Sequence, residues 1–172
     1  MAVDLPTLFA ANKELPLAPT WRERDPDRLT LVVPLDIGQV TIEGFRLRMT
    51  AMKSLSEEAV TIQLEYNEPT RRSAPMARID WKPLHRHNNK GHGPTELQNI
   101  IQSGSHNHGF DLNWRLAPKF VRRGSLPIAV PMSPDPKNFF ELLDFVKREF
   151  RINNIALVPA PPWQSALDMG FK

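Results

Sequence analysis

Cysteine is absent from the 172-residue chain, which excludes a disulfide framework and every thiolate metal site. No apolar run approaches the length a membrane span requires. Neither common glycine-rich phosphate loop occurs, so the usual nucleotide-binding folds have no foothold. Ser103 and Ser105 lie near His106, yet no oxyanion motif accompanies them, which argues against a serine hydrolase. With no signal-like N-terminus, these absences favour a reducing, cytoplasmic setting. The apolar fraction of 41% and charged fraction of 24% are those of a folded globular protein, and the length suits a single domain.

Proline, by contrast, is plentiful, with 17 residues. Pro6, Pro16, Pro19 and Pro26 crowd one end, and Pro159, Pro161 and Pro162 the other. Because proline fixes φ and cannot donate to a ladder, residues 1–27 read as an extended N-terminal arm and 159–172 as a C-terminal tail. The folded domain is then 28–158. Such arms suit docking onto a protein partner or a second copy of the chain, or are simply terminal segments.

Within that domain the period of the apolar residues is that of strands. Leu29, Leu31, Val33 and Leu35 alternate; Asp36–Gln39 supplies a turn; a second strand begins at Val40. Val40 and Ile42 share one face while Phe45, Leu47 and Met49 share the other parity, so a bulge or bend is expected at Gly44. Val60–Tyr66 and Ala77–Trp81 complete an antiparallel meander with one buried face. A short helix is expected near Thr95, strand alternation resumes at Phe110, Leu112 and Trp114, and Leu126–Val130 is a further short strand. From Pro136 to Phe150 the apolar spacing is helical, with Asp135 placed to cap and Pro136 at the first position. Ile155–Val158 closes as a strand-like run. The class is therefore α+β: an antiparallel sheet of five to seven strands packed by one C-terminal amphipathic helix.

The net charge of +3 conceals an uneven distribution. Between Pro69 and Arg123 ten Arg and Lys face only Asp80, Glu96 and Asp111, a net +7, which leaves −4 for the rest. Such a basic segment suits RNA or another polyanion, with Arg71, Arg72, Arg86, Lys90, Arg115, Arg122 and Arg123 as phosphate-binding candidates. Its alternative is a solvated face neutralised in three dimensions by Glu57, Glu58, Glu65 and Glu68.

All five histidines fall in the same segment, between His85 and His108. His85-Arg86-His87 and His106-Asn107-His108 each present two imidazoles to one side of an extended chain. Three readings compete. His85, His87, His106 and His108 are candidate ligands of a divalent metal, with Asp80, Asp111 or Glu96 as the carboxylate. Alternatively, they are a metal-free acid and base beside Arg86, Lys90 and Arg115, an arrangement suited to RNA cleavage through the 2′-hydroxyl, and the local positive charge favours this one. In the third reading the histidines tie down a buried loop by hydrogen bonds. His87, Asn99 and His106, with His108 just beyond, also follow the order of the HNH nuclease finger and resemble it over under a fifth of the chain. That resemblance implies a metal-dependent nuclease, but the finger carries its last histidines on a helix, whereas Gly104–Trp114 reads as loop and strand. The leading expectation is a small nucleic-acid-acting protein, an RNA-directed endonuclease or other phosphodiesterase; its rival is a non-catalytic binding subunit or inhibitor that docks through its arms and basic face.

Overall fold

The alternating runs of the first half become one long meander in the computed structural model, which describes residues 4–67 and 74–165. Its strands are β1 (Arg22–Glu23), β2 (Arg28–Ile37), β3 (Val40–Met52), β4 (Val60–Tyr66), β5 (Ala74–Trp81), β6 (His87–Asn88), β7 (Ile101–Gln102), β8 (His106–His108) and β9 (Val130–Pro131). Seven of them form a single sheet in the order β1-β2-β3-β4-β5-β8-β9, every pair antiparallel. β6 and β7 form a separate two-stranded ribbon. Four helices complete the α+β fold: α1 (Leu5–Ala10), α2 (Phe110–Leu116), α3 (Pro118–Val121) and α4 (Phe139–Phe150). No helix among the described residues is long and apolar enough to cross a membrane.

Period-two alternation gives this sheet two chemically distinct faces. Leu29, Leu31, Val33 and Leu35 of β2 share a buried cluster with Phe45, Leu47 and Met49 of β3, Ile62 and Leu64 of β4, and Ile79 and Trp81 of β5. Phe139, Leu142, Val146 and Phe150 of α4 belong to the same cluster. Each side chain so buried contributes about 1.5–3 kcal/mol relative to an exposed one. The phase change of β3 falls at Gly44, whose φ of +77° is one that glycine adopts without strain. Its carbonyl accepts the Asn67 N–H at 2.8 Å, an approach that leaves no room for a Cβ.

Three local expectations are corrected. Phe110–Trp114 is helical, not a strand: Phe110 and Trp114, four apart, stack with centroids 5.5 Å apart, a contact that only the helical spacing allows. Helix α4 starts later than Asp135 suggested, because Asn138 accepts the Glu141 N–H at 3.0 Å while Glu141 takes the Lys137 N–H at 2.9 Å, a reciprocal cap. The carbonyl of Pro136 instead receives the Trp81 indole N–H at 2.8 Å. Ile155–Leu157 forms a 3-10 turn in place of a strand.

Nor is the N-terminal segment uniformly extended. Asp4 caps α1 through the Thr7 N–H, and Leu8, Phe9 and Leu15 join the core. Lys13, fully buried, gives its three ammonium protons to the carbonyls of Phe9, Ala11 and Phe150 at 2.6, 2.7 and 2.9 Å. It thus ties the end of α1 to the end of α4, where unpaired carbonyls attract a cation. Burial, with Arg151 adding to it, pushes this ammonium down from 10.5 to about 8. A base whose folded pKa is depressed holds fewer protons folded than unfolded between those values, so stability should rise with pH across the window from about 8 to 10.5. The rise should be at most about 3 kcal/mol, since the three carbonyls oppose loss of the proton. Urea unfolding of the wild type and of Lys13→Met across this range measures it; curves that stay parallel would contradict the assignment.

Candidate functional site

The polar face of the sheet carries rows of side chains set by the register. Thr50, Thr61, Asp80 and His106 are successive partners across β3, β4, β5 and β8, and Arg48, Gln63, Arg78 and His108 form the adjoining row. Arg78 and Asp80 stand on this face because Ala77, Ile79 and Trp81 occupy the other. His106 and His108 stand there because β8 pairs them with Asp80 and Arg78, and the strand ends at His108 before the chain enters α2. His87 approaches from the β6–β7 ribbon. The rings of His87, His106 and His108 meet with centroids 4.6–5.4 Å apart, and each offers a ring nitrogen within 4.8 Å of the others.

His106 is held by the carbonyl of Gly104, and His87 and His108 by an irregular segment, residues 126–129. Having no strand partners, its backbone is satisfied by side chains. Leu126 O accepts from His108 Nδ1 at 2.7 Å and Pro127 O from His87 Nε2 at 3.2 Å. Asn113 bonds both the carbonyl and the N–H of Ile128. Asn89 bonds both groups of Ala129, whose carbonyl also takes the Gln102 amide at 2.6 Å. Asn89, Gln102 and Asn113 are all buried, and a buried backbone group without a partner costs about 1–3 kcal/mol.

These bonds fix the tautomers. Carbonyl oxygens only accept, so His106 Nδ1, 2.8 Å from Gly104 O, and His108 Nδ1 each carry a proton. In the neutral His108 ring the lone pair is then on Nε2, where it accepts from Arg78. Both Nε2 atoms face Asp80 Oδ2, at 3.3 and 3.4 Å. Burial pushes the His108 pKa down to about 4 against the pull of Asp80, with Arg78 lowering it further; the ring is neutral at pH 7. The His87 pKa is also lowered, chiefly by burial. Burial alone would raise the Asp80 carboxyl, but its contacts with His106 and His108 and the Arg78 guanidinium outweigh that and hold it well below the usual carboxylate range. Arg78 donates from Nε to Asp80 Oδ2 at 2.7 Å and from Nη2 to His108 Nε2 at 2.9 Å, and Thr61 donates to Asp80 Oδ1 at 3.0 Å.

His106, His108 and Asp80 are buried, while His87 is half-buried and opens onto two grooves. One runs past Arg86, Lys90, His92 and Phe120, the other past Arg24, Arg28, Thr50 and Gln63; Arg78, Arg86 and His87 line both. Of the four expected histidines, three therefore converge and His85 does not: it is exposed, in the wall of the second groove. Asp80 is the carboxylate of the three considered; Asp111 and Glu96 are exposed on α2 and on a 3-10 turn. Arg86 and Lys90 line the grooves. Arg115, Arg122 and Arg123 lie on or beside α2 and α3 outside the lining of both, and the Arg122 guanidinium stacks on Trp114 at 4.7 Å. Arg71 and Arg72 fall outside the described residues. Unforeseen participants are Arg78, Arg24 and Arg28, together with the amides of Asn89, Gln102 and Asn113. For Arg78 a signal existed, since it alternates with Asp80 on a strand whose other face is apolar. The HNH likeness does not extend to the structure: His106 and His108 are on a strand and Asn99 is exposed in the connecting loop.

No protein-family model matches the chain, and no curated protein or solved structure is significantly similar to it. Function is therefore argued from this geometry. One consequence concerns Asn89, whose replacement by alanine strips partners from the Ala129 N–H and carbonyl, the Leu97 carbonyl and His87. Asn89→Ala should lose about 3 kcal/mol in denaturant unfolding, and His87→Ala, half-exposed, only about 1 kcal/mol. Equal midpoints for both variants and the wild type would refute the role given to segment 126–129.

Proposed function

We propose that the protein is a phosphodiesterase acting on a nucleic-acid strand, in the first instance RNA, with the scissile phosphate at the His87 opening of the histidine centre. The observation that carries this reading is the placement of a buried imidazole–carboxylate centre where two grooves meet. Arg24, Arg28, Arg86 and Lys90 line those grooves, and none of the four forms an ion pair among the described residues. Unpaired cations along a continuous path suit a polyanionic backbone, because each phosphate contact releases condensed counterions. Phe120 and His92, packed edge to face at 4.9 Å in one groove, supply an aromatic wall suited to a splayed base.

The same geometry narrows the chemistry. A separate acid and base that bracket a phosphorus stand roughly 6 Å or more apart, allowing a hydrogen bond on each side. Ring nitrogens within 4.8 Å of one another are too close for that. The imidazoles instead act as one centre on one side of the phosphate: His87 takes the proton of the 2′-hydroxyl as that oxygen bonds to phosphorus, the bond to the 5′-oxygen breaks and this oxygen leaves with a proton from water, while Arg78 and Arg86 hold the phosphate oxygens as negative charge develops.

End-labelled single-stranded RNA, single-stranded DNA and duplex substrates test this. Cleavage of single-stranded RNA is expected, reduced about 100-fold or more in His87→Ala and far less in His85→Ala, whose position lies in a groove wall outside the cluster. Arg86→Ala and Lys90→Ala should each weaken binding and lower its salt dependence by about one counterion. If no substrate is cut and binding shows no salt dependence, the reading is wrong.

A further inference from the structure

His106 is almost fully buried, and its Nε2 lies 3.3 Å from Asp80 Oδ2. His108 Nε2 lies 3.4 Å from the same oxygen. Two ring nitrogens thus lie beside one carboxylate oxygen inside the protein, and a His87 nitrogen lies within 4.8 Å of those of His106 and His108. In each of the three rings another nitrogen is bonded to, or within hydrogen-bond distance of, a protein oxygen: Gly104 O, Leu126 O, and Pro127 O with Asn89 Oδ1. That is how ligating imidazoles are oriented in metal sites. Metal–ligand bonds of about 2.0–2.1 Å at tetrahedral angles separate neighbouring ligand atoms by about 3.4 Å; the Asp80–histidine separations of 3.3 and 3.4 Å match this, and the three ring nitrogens, within 4.8 Å of one another, would draw together on binding.

We propose that His87, His106 and His108 bind one divalent transition metal of the zinc class, with the Asp80 carboxylate, 3.3 and 3.4 Å from two of them, supporting the site, and that Arg78 competes with the metal for His108 and Asp80. Three imidazoles and one carboxylate are borderline donors, matched to Zn²⁺ or Co²⁺ and poorly matched to Mg²⁺ or Ca²⁺, which prefer all-oxygen shells. Arg78 already makes the two contacts that a cation would make, to Asp80 Oδ2 and His108 Nε2. Its side chain is one-third exposed (32%) at the meeting of the two grooves, so it has space to turn outward when a metal enters. The guanidinium then faces the groove, where a substrate phosphate would meet it. Metal binding uses the same cluster as the proposed cleavage and rests on that reading for its role: a bound metal would replace the free imidazoles in activating the attacking oxygen, and binding and cleavage are measured separately.

The test uses the full chain, freed of metal by chelation and desalting and checked for folding by circular dichroism. Titration calorimetry with ZnCl₂ should show one site per chain, and Co²⁺ should produce the intense visible bands of tetrahedral coordination, with no heat from MgCl₂. His87→Ala and Asp80→Asn should weaken Zn²⁺ by about 100-fold or more. His85→Ala and His92→Ala should leave it unchanged. Arg78→Met, which removes the competing cation and keeps the stem, should bind Zn²⁺ about tenfold more tightly. Absence of a stoichiometric site in both the wild type and Arg78→Met overturns the proposal, as does binding that survives His87→Ala and Asp80→Asn together. Zinc binding without RNA cleavage supports the metal site and removes the phosphodiesterase reading; cleavage that persists in the metal-free protein, with no zinc uptake, does the reverse.

Discussion

Four residues of backbone without a strand partner, 126–129, set the terms for the functional face of this protein. Buried peptide groups must be paired, and here the partners are the side chains of His87, Asn89, Gln102, His108 and Asn113. The histidines are consequently held by one nitrogen each and cannot rotate freely. Satisfying the segment and aiming the rings are the same set of bonds. A site built in this way is preorganised, because its geometry is maintained by contacts that the fold needs in any case.

The sheet contributes the other half. Antiparallel register brings Asp80 opposite His106 and Arg78 opposite His108, so that two short polar rows on different strands become one cluster. Its apolar face, shared with α1 and α4 in one core, gives these rows a rigid support. Lys13 closes that support by joining both helix ends to the N-terminal segment. Removing the residues before Arg28 would therefore take Leu8, Phe9, Lys13 and Leu15 out of the interior, and the segment cannot be regarded only as an arm.

Much of the meander was legible because strand period is a local property. Leu29–Leu35 and Val60–Tyr66 alternate, and the parity change at Gly44 coincides with its positive φ. Phe110–Trp114 was misread for a related reason: residues at i, i+2 and i+4 fit a strand, but i and i+4 also fit a helix, and the Phe110–Trp114 stack decided it. In the site, His87, His106 and His108 stood out as a composition anomaly, and Asp80 as a carboxylate nearby. His85 was indistinguishable from them by spacing, since i and i+2 neighbours in a short irregular stretch need not point alike.

The sequence by itself determined the class of fold, the two-faced character of the sheet, and the gathering of every imidazole and of net positive charge within residues 69–123, because each depends only on periodicity and composition. Tertiary structure decided which histidines meet, which carboxylate lies beside them, that Arg78 bonds both His108 and Asp80, and that Arg24 and Arg28 line a second groove that shares Arg86 with the one lined by Lys90. Those outcomes rest on register and on the path of segment 126–129. Both are settled by the pairing of buried backbone groups across long stretches of chain, which no local pattern encodes.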